Sequence, residues 1–260
     1  MIFNKKWWQF CCIYKNKIYK FVENIKISNK MKQILTVLFV LTFEFAYGQD
    51  FLYPNINAQG KDVENFIPNA WMLLDSVQGD LNKDNFKDLV LVIQHKESVL
   101  LDEYSELTQP RMLLILFYDN ETNLYNLGEK SESFILPHDD SYMTDPYVGM
   151  SISSKGVLKI EFEFFATMGS YGSSTSSYKF RYQNNEFTLI GADDYYVHRA
   201  TGEFGERSFN FLTKKLKATE GHIDSDKKKV VWRDLNIKEL KTLKTFKKPY
   251  SWEVEKDSNI

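Results

Sequence analysis

Four side chains, Asp80, Asn82, Asp84 and Asp88, carry the clearest chemistry in the chain. They lie within residues 78–94, QGDLNKDNFKDLVLVIQ, and place carboxylate or amide oxygens at positions 1, 3, 5 and 9 of a short loop. An apolar, strand-like run, Leu89-Val90-Leu91-Val92, begins directly after Asp88. Oxygen donors at this spacing suit a hard cation such as Ca²⁺, which gathers six to eight oxygens at roughly 2.3–2.6 Å. Three carboxylates this close repel one another unless a cation or water relieves them. The competing reading is a solvated acidic turn in which Asp and Asn bond to nearby backbone N–H groups. An ion here would pin a hairpin rather than perform catalysis.

Other groups with chemical potential are more scattered. His138-Asp139-Asp140 with Asp145 falls in a segment rich in Pro, Ser and Tyr, where acidic residues are ordinarily solvated. His222-x-Asp224-x-Asp226 is a second oxygen-rich turn, but Lys227, Lys228 and Lys229 follow it and would repel a cation. His95 and His198 lie at or near strand ends, where histidines are commonly structural. No G-x-S-x-G elbow is present, since Gly169-Ser170-Tyr171-Gly172 lacks the spacing, and this disfavours a serine hydrolase. Glycoside hydrolysis needs two facing carboxylates, and Glu161, Glu163, Asp193 or Asp194 on strands could supply them.

The elements that must hold these groups are mainly strands. Trp71–Ser76 and Leu89–Gln94 flank the acidic loop as a hairpin. Arg111–Tyr118 contains the continuous apolar run MLLILFY, which fits a central strand buried on both faces, and a shorter strand follows at Leu124–Leu127. Val157–Phe165 reads as a strand, and Ser177–Gln183 should pair with Glu186–Gly191 across Asn184-Asn185, a dipeptide that tolerates the positive φ of a two-residue turn. Alternating Tyr178, Phe180 and Tyr182 point to cross-strand packing rather than sugar stacking. Further strands are expected at Asp194–Arg199, Ser208–Thr213 and Lys215–Glu220. Gly169–Ser177, GSYGSSTSS, reads as a flexible loop. Lys61–Ile67 predicts a short helix ending at Pro68, and Asn236 with Glu239 resembles a capping box for a helix carrying Ile237, Leu240, Leu243 and Phe246 up to Pro249. No repeat period of roughly 20–60 residues is present, which removes solenoids and propellers. The fold class is therefore mainly β, an antiparallel, sandwich-like single domain with one or two short helices.

Residues 31–48 predict a secretory signal peptide: Lys32, an apolar run from Ile34 to Phe43, and the small-x-small pattern Ala46-Tyr47-Gly48 before Gln49. The run is too short to span a hydrocarbon core of about 30 Å. The basic, aromatic leader 1–30 precedes a signal that begins with its own methionine, so Met31 is the expected start, with a long basic n-region as the alternative. Residues 49–260 are the expected mature domain, exported to the periplasm or the exterior. The chain holds 33 Lys and Arg against 35 Asp and Glu; residues 1–48 contain eight and two of these, leaving 25 against 33, a net charge of −8. That balance excludes a phosphate-backbone partner. Cys11 and Cys12 both precede the cleavage site, so the mature chain has no disulfide, thiolate ligand or cysteine nucleophile.

The stretch Gly79-Asp80-Leu81-Asn82-Lys83-Asp84, with Asp88 and the strand Leu89–Val92, resembles the FG-GAP-type calcium loops of integrin α-subunits and bacterial surface proteins. The resemblance covers about seventeen residues. It implies a Ca²⁺ ion held by Asp80, Asn82, Asp84, the backbone carbonyl of Phe86 and Asp88. Loop position 6, usually Gly, is Asn85, the next most tolerant residue of a left-handed conformation. Position 12 is Leu91 rather than a bidentate Glu, unlike an EF-hand. The motif occurs once, so the family's propeller and adhesion function do not transfer. Signal peptide, Trp71-x-Leu73-Leu74-Asp75, single loop and Tyr178-x-Phe180-x-Tyr182 together resemble exported bacterial proteins. The function expected is a binding or structural module without catalysis. A secreted hydrolase acting on glycan or peptide is the alternative, and an accessory or inhibitory subunit a third reading.

Overall fold

Why the chain layers as it does follows from one strand. Met112, Leu113, Leu114, Ile115 and Leu116 are all fully buried. Adjacent residues of a strand point to opposite sides, so a strand buried at every position needs apolar cover on both faces. The computed structural model describes residues 51–260 apart from Asp102, Ser105 and Asp257; the predicted leader and signal peptide lie outside the described residues. Residues 51–260 form a unit of their own.

The first sheet contains β1 (Gln59–Gly60), β2 (Trp71–Gly79), β3 (Asp88–His95), β4 (Arg111–Asp119) and β5 (Leu124–Ser131), in the order β1-β5-β4-β3-β2. One face of β3 and β4 turns Leu89, Leu91, Ile93, Met112, Leu114 and Leu116 toward Phe66 and Trp71, with Phe51, Tyr53, Val63 and Ile67 packed around them. The N-terminal segment thus roofs the sheet. Its single 3₁₀ turn, Val63–Phe66, starts at Asp62, closed by reciprocal bonds with Asn65, and it occupies the middle of the helix expected over Lys61–Ile67.

The opposite face turns Val90, Val92, Leu113 and Ile115 into the main core. That core is closed by a second sheet, a seven-stranded meander of β6 (Tyr147–Ile152), β7 (Val157–Phe165), β8 (Gly172–Gln183), β9 (Glu186–His198), β10 (Glu203–Asn210), β11 (Lys215–His222) and β12 (Lys228–Asp234). Leu158, Ile160, Phe162, Tyr178, Phe180, Leu189, Phe209 and Leu216 supply its inner face. The sheets meet where β2 approaches β6: Tyr147 donates its hydroxyl proton to Asp75 Oδ2 at 2.7 Å. A Cβ on Gly79 would come within 2.5 Å of Ile152 Cγ2, so glycine permits this approach. A third antiparallel pair, β13 (Glu253–Glu255) with β14 (Ser258–Asn259), ends the chain. The domain is mainly β and sandwich-like.

Several boundaries differ from the sequence expectation. Gly172–Ser177 is strand, not loop: its Ser and Thr side chains are no obstacle once β7 and β9 satisfy the backbone on both sides. The two strands expected at Glu186–Gly191 and Asp194–Arg199 are one, β9. The turn between β8 and β9 has Asn184 at φ 52° and Asn185 at φ 62°, as the dipeptide implied. The expected helix from Ile237 shrinks to α1, Leu243–Phe246, capped by Thr242 with Thr245 rather than by Asn236 with Glu239. Before α1 the chain is extended and hydrogen-bonds to the sheets, through Leu235 N–H to Lys214 O and Leu189 N–H to Lys241 O. An extended segment satisfies its backbone this way while still burying Leu235 and Ile237.

Ile115→Ala should lower unfolding free energy by about 2–5 kcal/mol in urea denaturation, because it opens a cavity in the main core. Leu212→Ala, at a side chain 47% exposed, should change it by less than about 0.5 kcal/mol.

Candidate functional site

The acidic loop joins β2 to β3, and its backbone is shaped by residues that accept left-handed geometry. Lys83 sits at φ 69° and Asn85 at φ 73°. Asn85 therefore occupies the position at which the calcium-loop family prefers Gly, in the conformation that preference implies. Asp80 Oδ1 accepts the Lys83 N–H at 2.7 Å and Oδ2 the Asn85 N–H at 3.3 Å. Asn82 accepts the Asp84 N–H at 3.1 Å and donates its amide to Asp84 Oδ2 at 2.8 Å, while Asp84 Oδ1 accepts the Phe86 N–H at 2.8 Å. The Phe86 ring is exposed and lies 6.1 Å from that of Tyr118.

Asp88 behaves differently from the other three. It is completely buried, and its carboxylate accepts the Leu81 N–H at 2.8 Å and, from β4, the Tyr118 N–H at 3.1 Å. Burial pushes its pKa up against the pull of these backbone donors. Asp88 thus ties the start of the loop to its end and both to the neighbouring strand. Opposite it, Lys83 Nζ stands 3.9 Å from Asp80 Oδ2 and donates to the Ser154 carbonyl at 3.1 Å, so the loop rests on the β6–β7 turn. Asp80, Asn82 and Asp84 share one turn of chain, and their oxygens accept its own N–H groups as in a solvated acidic turn; the donor set, all oxygen, also suits a hard cation. Among the described residues no three His, Cys, Asp or Glu side chains converge as a metal-ligand group.

The segment carrying His138 to Asp145 has a structural part that its composition concealed. Asp145 receives a two-pronged bond from the buried Arg111 guanidinium, at 2.8 and 2.5 Å. Arg111 also donates to Gln94 Oε1 and the Leu136 carbonyl, each at 2.8 Å. Burial works to raise the Asp145 pKa, but hydrogen bonds and charge from Arg111 outweigh it and hold the carboxyl below its usual range. His138 contacts the Met143 carbonyl and Asp140 caps the Tyr142 N–H, both at 2.8 Å. His222 holds the Thr201 carbonyl at 2.6 Å and accepts the Asp224 N–H at 3.1 Å. His198 engages Thr201, and His95 packs edge-on against Phe51 and Trp71. These histidines join turns to strands.

The four strand carboxylates divide between two faces. Across β7, β8, β9 and β10 the register aligns Glu161, Ser177, Asp193 and Ser208 in one row and Glu163, Thr175, Tyr195 and Glu206 in another on the same outer face. A groove of about 270 Å³ lies over these rows. Glu161 and Asp193 are two strands apart, about 9–10 Å between Cα atoms. Asp194, next in sequence, points to the other face and pairs with Arg207 at 2.9 Å, so it cannot partner Asp193. Asp193 pairs with Lys179 and accepts from Ser208 at 2.6 Å. Burial raises its pKa, yet these partners prevail and hold it low. Sequence spacing could nominate these residues but not their faces.

No family model, curated protein or solved structure matches the chain. No helix among the described residues is long and apolar enough to cross a membrane.

Asp145→Asn should destabilise the fold by about 2–3 kcal/mol, somewhat less than for a fully enclosed ion pair, because Arg111 is buried while Asp145 is partly exposed. Its folded pKa is lowered, so the stabilisation is present above the ordinary carboxylate range and disappears as pH falls through the lowered value. Urea melts across the acid range should therefore show the wild-type advantage over Asp145→Asn shrinking toward zero at low pH.

Proposed function

We propose that the protein is an exported binding or structural module whose β2–β3 loop takes up Ca²⁺, with Asp80, Asn82, Asp84, the Phe86 carbonyl and Asp88 as the residues that would hold it. The observation carrying this reading is the loop backbone: Asn85 adopts the left-handed conformation at the position where the resembling loops use Gly. Support also comes from the donor set, which is all oxygen. Asp88 would act at the base of the site, where its buried carboxylate already orders the loop, and the ion would supply positive charge to offset the Asp80–Asp84 repulsion. Because β2 and β3 belong to the buried sheet, cation binding would stiffen the hairpin at the β6–β7 contact. Export rests on Lys32, the run Ile34–Phe43 and Ala46-Tyr47-Gly48.

Added calcium in excess should raise the melting temperature. A ligand bound only by the folded state contributes RT ln(1 + [L]/Kd), about 2.7 kcal/mol at a hundredfold excess, or roughly 5–10 °C for a domain of this size. Asp80→Ala should abolish the shift, and Asp224→Ala should leave it intact. Chelated and calcium-loaded protein melting together would remove the ion from the reading. Intact-mass measurement on protein recovered from an exporting cell should give a chain beginning at Gln49.

A second reading, a secreted hydrolase acting on glycan or peptide, draws on the outer groove. Asp193, paired with Lys179 and Ser208, suits the carboxylate that stabilises or activates, and with Glu161 paired to Lys159, Glu163 is left as the acid. If so, Glu163→Gln should lower cleavage of a polysaccharide panel by at least about a hundredfold while the melting temperature holds. No cleavage by the wild-type protein would retire this reading.

A further inference from the structure

The seven-stranded sheet ends at β12, which pairs only with β11 among the described residues. All seven of its residues, Lys228–Asp234, are exposed. Three are large and apolar: Val230, Val231 and Trp232, the last 65% exposed. A strand edge leaves a row of N–H and C=O groups ready to pair with another strand, and natural edges that stay single are usually short, bulged or studded with charge. β12 is long and unbulged; four of its seven residues are charged, but they stand at the two ends and leave Val230, Val231 and Trp232 as an uncharged middle.

That arrangement is self-complementary. If two copies of β12 run antiparallel about a two-fold axis at Val231, Val231 faces its own copy, Val230 faces Trp232, and Lys228 faces Asp234. The β11 register puts Lys228, Val230, Trp232 and Asp234 on the outer face, so this face gains two β-branched–aromatic pairs and sets each Lys228 opposite an Asp234 that Lys215 of its own chain already holds at 2.5 Å. Cross-strand pairs of these kinds favour antiparallel association. On the inner face Lys229 would oppose Arg233, but each cation already has an acid of its own chain, Glu220 at 3.1 Å and Glu255 at 3.3 Å. The Lys228 ammonium lies 5.5 Å from the Phe204 ring, which orders it for the contact.

We infer that β12 is the contact through which a second copy of this chain docks, joining the two seven-stranded sheets into one continuous sheet about a two-fold axis. The interface is isologous and closes on itself, so it yields a dimer and not a filament. The Lys228–Asp234 pairs select this register over the neighbouring ones, and the axis falls on an apolar side chain.

Sedimentation or light scattering across the micromolar range tests this on the purified full-length protein. The wild type should give twice the mass of one chain at the upper end. Val231→Lys, which sets two ammonium groups against each other at the axis, should give one chain mass throughout with an unchanged melting curve. Asp234→Lys should weaken the dimer at least tenfold, and Lys228→Asp combined with Asp234→Lys should restore it. A wild type that stays monomeric at the highest concentration overturns the inference. So does a dimer indifferent to Val231→Lys, or a charge swap that fails to restore what the single reversal removed.

Discussion

A strand with no polar side chain from Met112 to Leu116 is stable only between two apolar layers, and that requirement organises the rest of the chain. One layer is close at hand in sequence: Phe51 to Trp71 precede the sheet and fold back over it. The other comes from far along the chain, as the meander β6–β12 and the C-terminal segment bring Phe162, Phe180, Leu243 and Ile260 to the opposite side. β4 is thus covered on one face by residues that precede it and on the other by residues that follow it. Phe66 and Phe162 stand at similar separations from β4, whereas Leu243 and Ile260 lie more than a hundred positions away, so the C-terminal part of the main core closes the longest loop.

Buried charge appears where these layers must be joined. Arg111 starts β4 and ties itself to Gln94 on β3, to the Leu136 carbonyl in the crossing between the sheets, and to Asp145 just before β6. Asp88 plays a matching part at the opposite end of the same strand pair, accepting an N–H from each side of the loop region. Neither group replaces the apolar core, since a buried ion pair is poor at adding net stability. Each fixes register instead: a one-residue slip of β3 against β4 would leave both Arg111 and Asp88 without partners and turn the apolar faces the wrong way.

What could be read from the residues alone follows the reach of the signal. The β2–β3 hairpin, the doubly buried β4 and the Asn184-Asn185 turn are set by runs of side chains or by adjacent backbone preferences, and all three are where the sequence placed them. β6 and β12 were not foreseen. Tyr147–Ile152 contains Gly149 and little alternation, and Lys228–Asp234 is mostly charged, so neither carries a strand pattern without the neighbour that pairs with it. The reverse error occurred near Asn236, where three-residue spacing of Ile237, Leu240, Leu243 and Phe246 mimicked a helix face. There the β10–β11 turn and the interior strand β9 offered hydrogen-bond partners that periodicity does not encode. At the acidic loop, composition and spacing located the turn between β2 and β3. They gave no sign that Asp88 is buried and bonded to β4 while Asp80, Asn82 and Asp84 bond within the loop itself, because that split depends on a strand thirty residues later.

The outer face of the second sheet carries no core and is free to carry function. An antiparallel sheet can leave one side to water, and this one presents Glu161, Glu163, Tyr195 and Glu206 around a groove. The loop that would take up a cation and the groove face therefore lie on different structural parts: the loop on the doubly covered sheet, the groove on the singly covered one. Their one shared element is the β6–β7 hairpin, since Lys83 donates to Ser154 in its turn and Glu161 and Glu163 stand on its second strand. A cation drawn to Asp80 would compete with the Lys83 ammonium for that carboxylate, leaving the Lys83–Ser154 bond as the tie of the loop to that turn. The shortest route between loop and groove runs through that hairpin, from Lys83 to Ser154 and along the strand bearing Glu161 and Glu163.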